Sequence, residues 1–261
     1  MPMYRSIIKW LLALALVMPL SGVAQGRPDA AADTVRKSET YGLRLGVDLS
    51  RPLIGVLKEE YSGLEVVGDY RLSNRVYLAA ELGNESNNVI EALENFEDVN
   101  VVPIYDITTK GSYIKAGIDY NTYENWYGMN NSILVGARYA FSTFKTDLNS
   151  YNYFNSNRYW NPEGFLPGPD APQTLEGLSA SWLEVLLGIK AELFANIYMS
   201  ASVRLGMLIT RTESETMPHL WIPGFNRVTD GSRFGTSFNY TISYLIPLYR
   251  KAREKAPEKQ E

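Results

Sequence analysis

Along most of this chain apolar residues recur at every second position, the spacing of a strand with one apolar and one polar face. Eight segments show it. In 41–50, Leu43, Leu45, Val47 and Leu49 share a side opposite Arg44, Gly46 and Asp48. In 61–72, Leu64, Val66, Gly68 and Tyr70 oppose Glu65, Val67, Asp69 and Arg71. In 75–83, Val76, Leu78, Ala80 and Leu82 oppose Tyr77, Ala79, Glu81 and Gly83. In 112–120, Ile114, Ala116, Ile118 and Tyr120 oppose Lys115, Gly117 and Asp119. In 132–142, Ile133, Val135, Ala137, Tyr139 and Phe141 oppose Gly136, Arg138 and Ala140. The sixth segment, 182–193, has a helix-forming composition, yet Glu184, Lys190 and Glu192 keep the two-residue period. Period outweighs composition here, because seven other segments alternate alike. Segments 197–209 and 234–246 complete the set, with Arg204 and Asn239 on their polar faces.

Each segment has roughly ten residues, the length of a tilted strand crossing a bilayer. The connections alternate in length. Ser73-Asn74 and Phe194-Ala195-Asn196 are tight, and "NTYENWYGMNN" is of middling length. Residues 84–111, 143–177 and 210–231 read as long loops, on the same side as "RPLIGVLKEE". The pattern predicts an all-β fold: an eight-stranded antiparallel up-and-down transmembrane β-barrel with long extracellular loops and short periplasmic turns. An even strand number puts both termini on the periplasmic side.

The polar face then becomes the lumen. The expected lumen charges are Arg44, Arg71, Lys115, Arg138, Lys190 and Arg204 against Asp48, Glu65, Asp69, Glu81, Asp119, Glu184 and Glu192. Small residues recur among them, such as Gly46, Gly83, Gly136 and Gly206. An eight-stranded lumen is just wide enough for side chains, so long charged groups need small neighbours. Glu184, Lys190 and Glu192 are expected to pair with Arg138 and Arg204 on neighbouring strands. The alternative is a soluble lipocalin-like periplasmic barrel, with the apolar face inside.

The ends add the compartment. Arg5 and Lys9 precede the apolar run Trp10 to Leu20 and the small residues Gly22-Val23-Ala24. That is the pattern of a signal peptide over 1–24. Residues 25–40 are expected as an N-terminal periplasmic segment, 41–249 as the barrel and 250–261 as a charged periplasmic tail. The formal net charge is −4. Without Arg5, Lys9 and the tail, with its five basic and three acidic residues, 25–249 carries −8. An acidic body excludes nucleic acid as a partner. Cysteine is absent, which removes disulfides, thiolate metal sites and lipoprotein acylation. No cofactor or metal is expected.

Catalytic signals are sparse. The single histidine, His219, lies in "MPHLWIPGFN"; a lipid-modifying enzyme with a rim site would use it. The lumen carboxylates could serve as acid and base, but neutralising six cations accounts for them. No catalytic residue is assigned. The aromatic loops form a candidate contact surface: Tyr151, Tyr153, Phe154, Tyr159, Trp160 and Phe165 in one, Trp221, Ile222 and Phe225 in another. Tyrosine and tryptophan supply contact area at low entropic cost.

The stretches "YGLRLGVDLSRP", "EVVGDYRL", "TTKGSYIKAGIDYNTYENWYGM", "GARYAFSTF", "GLSASWLEVLLGIKAEL", "IPGFN" and "FNYTISYLIPLY" resemble an uncharacterised Bacteroidota family of predicted outer-membrane β-barrel proteins. The resemblance implies fold and location and carries no activity. The expected function is a non-enzymatic structural or interaction component, such as a subunit of an envelope assembly or secretion complex. Its expected partners are outer-membrane lipid and another envelope protein. A rim enzyme, a narrow pore and the soluble barrel stay open.

Overall fold

The computed structural model describes residues 38–93, 102–123, 131–154, 165–168, 171–212, 221–227 and 233–252. The signal peptide and most of the terminal segments expected from the sequence lie outside them. Eleven strands and one helix are described: β1 (Ser38–Asp48), α1 (Ser50–Leu57), β2 (Tyr61–Arg71), β3 (Val76–Leu93), β4 (Val102–Asn121), β5 (Ser132–Phe154), β6 (Phe165–Pro167), β7 (Gln173–Phe194), β8 (Ile197–Arg211), β9 (Trp221–Ile222), β10 (Asn226–Arg227) and β11 (Phe234–Ala252).

Eight of these strands close a ring. β1, β2, β3, β4 and β5 pair in chain order, β5 pairs β7, β7 pairs β8, β8 pairs β11, and β11 returns to β1. Every pairing with a described register is antiparallel. A closed ring leaves no unpaired edge, the condition for strands in lipid. The turn end carries the tight connections. In the β7–β8 turn Asn196 takes φ 68°, a conformation asparagine tolerates better than most side chains.

The two faces separate as the alternation predicts. Outside, Leu187 is 63% exposed and Val203 66%; inside, Lys115 and Glu65 are at 0%. Leu45, Val66, Leu82, Ile114, Phe141, Val185, Leu205 and Ile242 all face outward. Charge inside and aliphatic surface outside invert the layout of a soluble barrel. The lipocalin-like alternative is therefore overturned, since water would meet the apolar wall.

Two expected loops are largely strand. β3, β4, β5 and β7 run to 18, 20, 23 and 22 residues, against 11 for β1 and β2. Segments 84–111 and 143–177 thus contain the upper arms of two hairpins. Their outward residues are mostly polar, as at Asn84, Ser112 and Thr143. The apolar contrast that marks a strand fades there, while the backbone ladder continues. Ile107 and Leu148 form a small core within this extension, with Tyr105, Tyr151 and Leu175 packed on it.

A charge on the wall separates the lipid-facing reading from a soluble one. Leu187→Arg should lower the unfolding free energy by about 2–4 kcal/mol, the cost of arginine near the bilayer midplane. Urea titration of the barrel refolded into vesicles measures it; an unchanged midpoint would contradict a lipid-facing wall.

Candidate functional site: the plugged, charged lumen

Alternation delivers one lumen side chain from each second residue of every strand, and the register stacks these into tiers. In the tier nearest the turn end, Asp69 of β2 is shared. Arg44 Nε lies 2.6 Å from its Oδ1 and Lys190 Nζ 2.6 Å from its Oδ2. The Arg44 guanidinium also sits over the rings of Tyr77 and Tyr198, at 4.8 and 5.1 Å. The arginine is thus held by one charge and two π faces.

The middle tier links five strands. Arg204 Nη1 donates to Glu81 Oε2 at 2.5 Å, and Arg138 Nε reaches Glu81 Oε1 at 3.3 Å. Arg138 also pairs with Asp119 at 2.8 Å. Glu184 takes Lys115 Nζ at 2.8 Å, Arg204 at 3.4 Å and the indole Nε1–H of Trp182 at 2.7 Å. A cavity of about 60 Å³ lies between the two tiers, lined by groups that include Arg44, Asp69, Arg138, Lys190 and Arg204. It has room for a few waters and little more.

The third tier uses a residue from outside the strands. Arg51, on α1, is 2% exposed. It points at Glu85 (3.1 Å), Asp48 (3.5 Å) and Glu65 (3.7 Å). Burial acts to lower its pKa, but the fields of Glu85, Tyr113 and Glu65 outweigh that and hold it above the ordinary arginine value. Tyr113 donates to Glu65 at 2.5 Å and Glu85 at 3.1 Å, and Asn239 Nδ2 donates to Glu65 at 2.6 Å and Asp48 at 3.0 Å. Each carboxylate therefore has several donors, as burial requires.

A plug closes the loop end. Residues 221–227 form a two-stranded hairpin, β9 with β10, which buries Ile222 (0%) and Phe225 (4%). Phe225 meets Trp182 edge-on at 5.6 Å between ring centroids. Gly206 and Gly235 make room for it, since a Cβ there would stand 2.9 and 3.0 Å from the Phe225 ring. Gly224 has φ +81°, and a Cβ on it would come within 2.6 Å of the Tyr113 ring. That position admits glycine on both counts. The lumen charges latch the plug as well: Lys115 Nζ donates to the Gly224 carbonyl at 3.1 Å, and the Gly224 amide donates to Glu85 Oε2 at 3.1 Å.

The expected charge network is largely brought together. Arg44, Asp48, Glu65, Asp69, Glu81, Lys115, Asp119, Arg138, Glu184, Lys190 and Arg204 all join it. Arg71 and Glu192 stand at the turn rim instead. Arg71 covers the Tyr41 ring at 4.6 Å and donates to the Ser73 carbonyl, and Glu192 accepts from the Asn196 amide. The expected partners also change. Of the pairs expected for Glu184, Lys190 and Glu192 with Arg138 and Arg204, only Glu184–Arg204 forms an ion pair among the described residues, while Lys190 finds Asp69 and Lys115 finds Glu184 on non-adjacent strands. Lysine reach and the narrow bore explain this. Arg51, Glu85 and Tyr113 were not foreseen. Glu85 and Tyr113 keep the parity of Glu81 and Lys115; reading 84–111 as loop hid Glu85, Tyr113 carries no charge to mark it on the polar face of 112–120, and no period marks Arg51.

The contact-surface expectation fails at Ile222 and Phe225, which are lumen plug and not exposed loop. Burial of their apolar area is the cause: an aromatic hairpin gains more inside than in water. Trp221 is half-buried against Tyr61, with centroids 6.1 Å apart. Tyr151 packs on the extension, Tyr153 is exposed, and Phe154 and Phe165 pair in register between β5 and β6. Tyr159, Trp160 and His219 lie outside the described residues.

The model of the family described as Domain of unknown function (DUF6048) matches residues 3–251, so the chain belongs to that family. Among solved structures, the crystal structure of Acinetobacter baumannii CarO is similar, at 11% identity, over 80% of this chain and 98% of that one, with a TM-score of 0.29. No curated protein matches.

Removal of one hub tests the network. Arg204→Met should destabilise by about 3–5 kcal/mol, the usual effect of stranding a buried partner charge. Adding Glu81→Gln should restore part of that, as read from urea midpoints; equal loss in single and double variants would show that the pair is not coupled.

Proposed function

We propose that this DUF6048 protein is a non-enzymatic β-barrel of the outer membrane, serving as a structural or interaction component of the envelope. The observation that carries the reading is the filled lumen. Ion pairs in three tiers and the latched 221–227 plug occupy the bore, so the interior works as a scaffold and the outer surface is left to act. In this reading the chain is exported by its signal peptide. The turn end and both termini face the periplasm, and the loop end faces outward.

The extended β3–β4 and β5–β7 arms are then the working part. They carry strands past the apolar wall and present Ile90 (57% exposed) and Tyr153 (43%). Such a rigid ladder positions contact groups better than a loop does. The partner would be another envelope protein, held beside a wall already solvated by lipid.

Trimming the hairpin tests this. A variant with Val89–Tyr105 replaced by a tight turn should keep its heat-modifiable gel mobility. It should also lose the cross-linked complex that the full chain forms in native membranes. A full chain that runs only as a monomer after cross-linking would sink the proposal. Steady single-channel currents in planar bilayers would favour a pore instead.

A further inference from the structure

On the wall of β3, β4 and β5 the apolar belt ends on one row. Leu82, Ile114 and Phe141 are in register and exposed. The next outward row is Asn84, Ser112 and Thr143, in register with Ser179 of β7. The row beyond pairs Lys110 directly with Lys145 across β4 and β5. Both lysines are exposed, and among the described residues neither makes an ion pair or hydrogen bond. Like charges directly opposite on one sheet face repel. The two lysines line a shallow outward groove of about 440 Å³ with Asn84, Ser112, Thr143 and Ser179.

Three features select the occupant. Two adjacent ammonium groups that make no ion pair among the described residues call for a dianionic group such as a phosphate. The hydroxyl and amide row between them and the belt suits a sugar. Four residues along a tilted strand raise the lysines about 10 Å above the last apolar row, beyond the headgroup phosphate of a simple phospholipid. The nearest outward carboxylates are Asp147, which accepts from Thr174, Asp106, which accepts from Asn88 and Asn149, and Glu176, at the β7 irregularity beside Lys145. They bound the groove and do not fill it.

We propose that Lys110 and Lys145, with Asn84, Ser112, Thr143 and Ser179, form a wall site for a phosphorylated glycolipid of the outer leaflet. The glycolipid's acyl chains would lie on the Leu82–Ile114–Phe141 belt. This rests on the transmembrane, outward-facing reading given above. The site would fix one lipid in place, and the lipid would in turn relieve the repulsion between β4 and β5.

The test uses the full chain in phosphatidylcholine nanodiscs doped with bisphosphorylated lipid A, or with lipid A stripped of phosphate. Phosphorylated lipid A should raise the heat-unfolding midpoint of the wild type and not of Lys110→Thr/Lys145→Thr. Native mass spectrometry should show retention about thirtyfold weaker in the double variant, roughly fivefold for each lysine. The Lys110→Arg/Lys145→Arg variant should retain the lipid. In plain phosphatidylcholine the threonine variant should be at least as stable as the wild type, because the repulsion is gone. Equal retention by wild type and threonine variant would overturn the proposal, as expected if the lysines serve an acidic protein instead. An equal shift from dephosphorylated lipid, or from inorganic phosphate alone, would also overturn it. A chain with no heat-modifiable band in either disc would sink the transmembrane reading itself, and this site with it.

Discussion

Ion pairing across the lumen is the interaction on which the rest of this structure depends. Arginine, lysine, aspartate and glutamate at 0–7% exposure are affordable only when each charge has a partner, because an unpaired buried ion costs several kcal/mol. Several of the pairs join strands that are not neighbours: Lys190 of β7 reaches Asp69 of β2, and Lys115 of β4 reaches Glu184 of β7. A sheet held by its ladder alone could open or flatten. A sheet tied across its own interior has one radius and one register, and the outer wall inherits both.

The tiers also explain how a polar bore accepts an apolar plug. Trp182 donates its indole N–H to Glu184 and packs against Phe225 in a T-shaped pair, so a single side chain belongs to both the ionic middle and the greasy cap. Lys115 does the same with Glu184 and the Gly224 carbonyl. The plug is therefore anchored by the charges below it, and the small residues of β8 and β11 give its phenyl ring its seat.

Much of this was legible in the sequence, for a definite reason. A period of two assigns every strand residue to one of two faces, so one correct face predicts all the others. That is why eleven of thirteen expected lumen charges joined the network. Pairing partners were not legible, because the period says which face a charge takes and nothing of what stands across the bore. Arg51 was missed because it enters from a helix. The 221–227 segment misled because an aromatic, glycine- and proline-rich hairpin has the same composition whether it caps a lumen or meets a partner. Strand length was underestimated where the outward face turned polar and the apolar residues moved to the inner face, as at Ile107 and Leu148.

The seam between β1 and β11 has a kinetic meaning. Asp48 accepts from Ser50, from the Asn239 side chain and from the Tyr240 amide, and the Leu49 amide donates to the Tyr240 carbonyl at 2.7 Å. The contacts to Asn239 and Tyr240 join residues about as far apart in sequence as the barrel permits. Contacts of that separation are slow to form, since the whole intervening chain must be ordered first. The carboxylate of Asp48 has its full set of donors only when the last strand has arrived. Until then β1 and β11 both present open backbone, and a synthesis cut short before β11 leaves a chain that cannot close. The buckle thus makes folding of the wall nearly all-or-none, with the C-terminal strand as the step that commits it.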